Sequence, residues 1–115
     1  MKLFVYGSLK KGCHNHGLLR NARYLGDYST EAKYTMVDMG SFPGVFHDEN
    51  SVTSIHGEIY EIDETTLTIL DRLEGHPNFF HREKIMCDGY GEAWVYLVLP
   101  RCVLDINKIR ILGIW

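Results

Sequence analysis

Two stretches of this sequence place reactive groups where they could do chemistry. The first is Tyr6-Gly7-Ser8-Leu9, directly after the apolar residues Leu3–Val5. A glycine that closes a buried strand puts no Cβ in the way. Neighbouring backbone N–H groups can then converge on a carboxylate or a developing oxyanion. The same tetrapeptide also reads as a plain tight turn. The second is Glu74. Residues three, four and seven apart share a helix face, which sets Glu74 above Leu70 and Leu67. Thr65, Thr68 and Arg72 are expected to point the other way. Desolvation on that face and the negative end of the helix dipole both raise a carboxyl pKa, toward the range useful for proton transfer near neutral pH. The competing reading is a terminal Glu that curls into water just before Gly75.

Other groups carry less. Cys13-His14-Asn15-His16 has soft ligand types at a spacing that matches no standard zinc pattern, and reads as a solvated loop. His76 and His81 flank Pro77-Asn78-Phe79-Phe80, either lining a pocket or lying on the surface. Ser8 stands in no G-x-S-x-G elbow, so nothing selects a His and an Asp to form a triad with it. Tyr60, Trp94 and Tyr96 fall in strand patterns, where aromatics more often build core than site. Phosphate loops and dinucleotide fingerprints are absent, and neither a metal nor a cofactor is expected.

The elements that must position these groups are mostly strands. Lys2–Tyr6 reads as a strand halted at Gly7, and Lys10–His16 as a loop into a helical turn around Leu18-Leu19. Arg23–Met36 holds at least one strand, and Asp38–Phe46 is a turn-rich connection. Ile55–Ile62 alternates as a strand. One helix is well signalled over Thr65–Glu74, with Asp63 as N-cap, Glu64 in the first turn and Gly75 as the C′ residue. Phe80–Cys87 and Glu92–Leu99 form a hairpin through Asp88-Gly89-Tyr90-Gly91, and Val103–Trp115 adds a last strand or turn. The fold class is therefore α+β: a small mixed, barrel-like β-sheet with one main helix, in a single domain over residues 1–115.

Composition narrows the function. The 115 residues leave little room for a cofactor domain beside a substrate domain. A net charge of −3 argues against nucleic acid as partner. Three scattered cysteines without a C-x-x-C pair suit a reducing compartment. The longest apolar run, Ala93–Leu99, is far short of the roughly 18 residues a membrane helix needs. A soluble, cytoplasmic protein with a small-molecule partner is expected. No exposed heptad or apolar helix selects an oligomeric state.

The ordered set Phe4-Val5-Tyr6-Gly7-Ser8-Leu9, Phe42-Pro43-Gly44, Gly57–Ile62, Leu70–Gly75, Ala93–Tyr96 and Gly113-Ile114-Trp115 resembles the γ-glutamylcyclotransferase superfamily, most closely its γ-glutamylamine cyclotransferase-like (AIG2-like) branch. The match spans nearly the whole chain. Ile114 departs from the Gly-Asp-Trp ending frequent in that family, which bears on the tail and on substrate preference. The resemblance implies a barrel-like fold with a cavity at one end, a substrate loop at Tyr6–Leu9 and a catalytic Glu74, with Tyr6 and Tyr96 lining the pocket. It implies intramolecular cyclisation of a γ-glutamyl amide to 5-oxoproline with release of an amine. The alternative is a non-catalytic module that binds a γ-glutamyl or amino-acid derivative in the same cavity. Glutathione, γ-glutamyl amino acids, γ-glutamyl-ε-lysine and a γ-glutamylated biosynthetic intermediate all meet the chemistry implied.

Overall fold

The computed structural model describes residues 1–103 and 110–115. Strands β1 (Lys2–Val5), β2 (Arg23–Thr30), β3 (Tyr34–Asp38), β4 (Pro43–His47) and β5 (His56–Glu61) precede helix α1 (Glu64–Leu73). Strands β6 (Phe80–Asp88), β7 (Gly91–Val98) and β8 (Arg110–Ile111) follow it. Five strands close into a barrel in the order β1-β5-β2-β6-β7. Its pairings are antiparallel except β1 with β7, which run parallel with Leu3 opposite Trp94. A second sheet, ordered β4-β3-β8, packs beside it. The mixed barrel with one main helix agrees with the reading from sequence.

The apolar run at the N-terminus has a structural reason. Phe4 joins the core cluster built around Ile59, Val95 and Leu97. Leu3 and Val5 join the cluster that holds Leu70 of α1, Ile62, Phe80 and Val98. A strand buried on both faces needs apolar residues at consecutive positions rather than in alternation. Gly57 of β5 lies so close to β1 that a Cβ there would run into the Val5 carbonyl. Both strands are thereby fixed beneath the residues that follow Val5.

The helix begins and ends where its signals place it. The Asp63 carboxylate accepts from the Thr66 N–H at 2.7 Å, and Gly75 takes φ +66° after the C-cap Glu74. Leu70 is fully buried, whereas Ile69 and Leu73 are half-exposed.

Three expectations are corrected or completed. The turn-rich connection at Asp38–Phe46 is shorter than expected, because β4 starts at Pro43 and the Met39 N–H reaches the Phe42 carbonyl. Pro43 is tolerated there because β4 is an edge strand and Pro43 is its first residue. Arg23–Met36 contains β2 and the start of β3, separated at Glu31–Lys33. Of the tail, residues 104–109 lie outside the described residues, and Arg110–Ile111 pairs with β3. Among the described residues no helix is long and apolar enough to cross a membrane.

Candidate active site

A cavity of about 360 Å³ opens where β1, the end of α1 and the start of β6 meet. Tyr6, Gly7, Ser8, Leu9, Glu74 and Tyr96 all line it, so every site residue expected from sequence faces one space.

Glu74 is held there by its backbone. Its N–H bonds the Leu70 carbonyl at 2.9 Å, and its carbonyl accepts from the Phe80 N–H at 3.2 Å. The residue is thereby stitched to both α1 and β6. Its side chain is half-buried, and burial raises the carboxyl from its ordinary value to about 7. Among the described residues none donates a hydrogen bond to that carboxyl. It is thus an acidic group with capacity for a proton near neutral pH, facing a cavity.

The Tyr6–Leu9 segment is shaped by packing and by Asn15. Gly7 lies against Pro43, where a Cβ would come within 2.8 Å of the proline Cγ. Asn15 braces the loop twice, donating from its side-chain amide to Ser8 Oγ at 3.0 Å and from its backbone N–H to the Ser8 carbonyl at 2.9 Å. His16 Nδ1 lies 2.9 Å from the Leu9 carbonyl. The Gly7 carbonyl accepts from the Lys10 N–H at 3.0 Å, so the carbonyls of Gly7, Ser8 and Leu9 are all engaged. Among the described residues no acceptor meets the N–H groups of these three. The Leu9 side chain is buried in the core.

The two tyrosines are tied into the wall. Tyr6 donates to the Tyr96 carbonyl at 2.6 Å, and burial, then the neighbouring Glu74, raises its phenol well above the ordinary range. Tyr96 donates to Asp71 Oδ1 at 2.7 Å, and its phenol is raised by burial first and then by that bond. Arg82 clamps Asp71 with two bonds, Nε to Oδ1 at 2.6 Å and Nη2 to Oδ2 at 3.0 Å. Burial pushes the Asp71 carboxyl up, but the bonds from Arg82 and Tyr96 outweigh it and hold the group below its usual value.

Several residues were misplaced or missed. Arg72 was expected on the far side of the helix, yet it lines the cavity together with Leu73, Glu74 and Gly75, because the opening sits at the helix end. The Cys13–His16 stretch is not simply solvated: His14 and Asn15 line the cavity and Asn15 holds the loop. His76 and His81 do not line it. His76 Nδ1 accepts from the Arg82 N–H, and His81 faces Glu83. Phe42, Phe79 and Phe80 form an aromatic wall with ring centroids 5.2–6.1 Å apart. Asp71 sits three residues before Glu74, a spacing that already put it near the same helix end. Ile114 lies away from the cavity, in a shallower groove with Lys10, Ser29 and His56. Among the described residues no three His, Cys, Asp or Glu side chains gather as metal ligands would.

A profile of the family described as gamma-glutamyl cyclotransferase, AIG2-like, matches residues 3–111. This chain belongs to that family. The Escherichia coli K12 gamma-glutamylcyclotransferase family protein YtfP is 38% identical over 97 residues, 84% of this chain and 81% of its own. A relative from Methanocaldococcus jannaschii is 42% identical over 111 residues, covering 92% of this chain and 91% of its own. The solution structure of ytfP from Escherichia coli superposes with a TM-score of 0.73 at 34% identity, covering 100% of this chain and 96% of that one. The crystal structure of a mouse AIG2-like protein gives a TM-score of 0.74 at 26% identity, covering 90% and 82%. Membership bears out the resemblance read from sequence, the barrel fold and an enzyme of the γ-glutamylcyclotransferase type.

Proposed function

We propose that this protein cyclises a γ-glutamyl amide to 5-oxoproline and releases the amine, with Glu74 as the acid and base. The observation that carries the reading is that Glu74, its carboxyl raised to about 7, lines the same cavity as Gly7, Ser8 and Leu9, whose N–H groups meet no acceptor among the described residues. Nucleophile and electrophile belong to one substrate molecule, so the site mainly has to hold a folded conformer. The α-amine nitrogen attacks the γ-carbonyl carbon and a C–N bond closes the five-membered lactam. Glu74 takes a proton from the attacking nitrogen and passes it to the departing nitrogen as the original amide C–N bond breaks. The N–H groups of the Tyr6–Leu9 loop hold the substrate carboxylate or the developing oxyanion. The aromatic wall of Phe42, Phe79 and Phe80 gives the amine's substituent an apolar surface.

The test is a substrate panel. γ-Glutamyl-ε-lysine, other γ-glutamylamines, γ-glutamyl amino acids and glutathione are incubated with the protein, and 5-oxoproline release is measured. Glu74→Gln keeps the size but loses the proton acceptor, and should slow release by roughly 100-fold or more. Full activity in that variant sinks the assignment. Binding of these compounds without turnover over hours identifies a binding module instead.

A further inference from the structure

The second carboxylate at this helix end, Asp71, takes no part in the proton transfer just described. We propose that Tyr96 Oη is the acceptor for the substrate's α-ammonium group, and that Asp71 and Arg82 are positioning residues that keep it an acceptor. The inference rests on the cyclotransferase reading and deepens it by dividing the cavity into a donor end and an acceptor side.

A phenol has one proton to give and lone pairs to offer. Tyr96 gives its proton to Asp71 Oδ1 at 2.7 Å. Asp71 is in turn engaged by the Arg82 fork at 2.6 and 3.0 Å, a geometry that requires the ionised carboxylate. Arg82 is itself held, its backbone N–H on His76 Nδ1 at 3.1 Å and its guanidinium 4.9 Å from the Trp94 ring centre. The Tyr96 proton is therefore committed away from the cavity, and only lone pairs of Oη remain for a ligand. Tyr6 does not compete, because its own proton is spent on the Tyr96 carbonyl at 2.6 Å.

Tyr96 and Glu74 line the same cavity, so the residues around it carry two acceptors of different kind, a carboxylate and a phenol oxygen whose proton goes to Asp71. Gly7, Ser8 and Leu9 line the same cavity, and among the described residues no acceptor meets their N–H groups. An amino-acid head has this complement: a carboxylate for the donors and an ammonium for the acceptors. A tyrosine left free to rotate its hydroxyl would as readily donate to the carbonyl or the carboxylate and misdirect the attacking nitrogen. The Asp71–Arg82 pair removes that choice.

The experiment compares L-glutamine with 5-amino-5-oxopentanoate, the same molecule without its α-ammonium, by NMR titration of the whole chain. Wild type should bind glutamine the more tightly. Tyr96→Phe, which keeps the ring, should lose roughly 10- to 100-fold in glutamine affinity while binding the deaminated compound as before. Asp71→Asn should show the same selective loss at smaller amplitude. Wild type without a preference for glutamine overturns the proposal, as does a Tyr96→Phe variant that weakens both ligands alike or neither. Should Asp71→Asn fail to fold, Arg82→Gln replaces it, with equal weakening of both ligands counting against the positioning role. The titration reads binding, so a wild type that shows the selectivity but releases no 5-oxoproline refutes the cyclotransferase reading alone.

Discussion

Gly7, in the loop that follows β1, and Pro43, the first residue of β4, meet so closely that a Cβ on residue 7 would lie 2.8 Å from the proline Cγ and 2.9 Å from its Cδ. The proline ring is rigid and buried, so it cannot yield as a flexible side chain would. Gly7→Ala should destabilise the fold by about 1–3 kcal/mol through overpacking, read by urea unfolding. Displacing the loop should also slow 5-oxoproline release by roughly 10- to 100-fold. Pro43→Ala in the same chain should restore part of both losses. Independent, additive effects of the two substitutions would contradict the contact as the cause.

The pH dependence of the rate follows from Glu74. Its carboxyl is raised to about 7 by burial, and the cyclisation proposed above needs the ionised form to accept a proton. The kcat/KM profile should therefore rise through an inflection near pH 7, rather than near the ordinary carboxylate value. An inflection below pH 5 would show that the group is solvated in the working protein.

The same shift has a stability consequence of defined sign. Between the ordinary value of 4.5 and about 7, the unfolded chain has released the Glu74 proton while the folded chain keeps it. Folded stability from this group is complete below 4.5, falls as pH rises through that window and levels off above 7. Glu74→Gln removes the slope. Its stability relative to wild type should grow by ~1–3 kcal/mol from pH 4.5 to pH 8, after allowance for the partial exposure of the carboxyl. Parallel stability curves for the two proteins would count against a desolvated Glu74.

Gly75 sits at φ +66°, and a Cβ there would be 3.3 Å from Phe79 Cβ. Gly75→Ala should cost about 1–2 kcal/mol from the left-handed backbone alone. Relief of that strain would turn the peptide that follows Glu74, so turnover should fall more than substrate binding does. Thermal unfolding and a KM-against-kcat comparison check both parts.

Local signals made much of this molecule legible. Asp63, Glu64 and Gly75 bracketed the helix, because capping chemistry is written within one turn of chain. Glu74 stood out on the helical wheel because its place above Leu70 and Leu67 is a matter of periodicity, whereas the cavity lies at the helix end, where Arg72, Leu73, Glu74 and Gly75 all line it. Tyr6–Leu9 stood out because a glycine ends an apolar strand. Arg72 shows the limit of the wheel: at a helix end that opens on a cavity, residues of every face line it.

The sequence by itself determined the strand-rich class, the main helix and its ends, and two of the segments that line the cavity. These depend on neighbours a few residues apart. Only the tertiary structure decided that Pro43 presses on Gly7, that Asn15 braces Ser8, and that Tyr96 and Arg82 meet at Asp71. Each of those contacts joins separate elements of the chain or its loops, and its partners are chosen by barrel closure and register rather than by local preference. The groups available for chemistry were visible along the chain. Which of them line one cavity, and which are already hydrogen-bonded, was settled by packing.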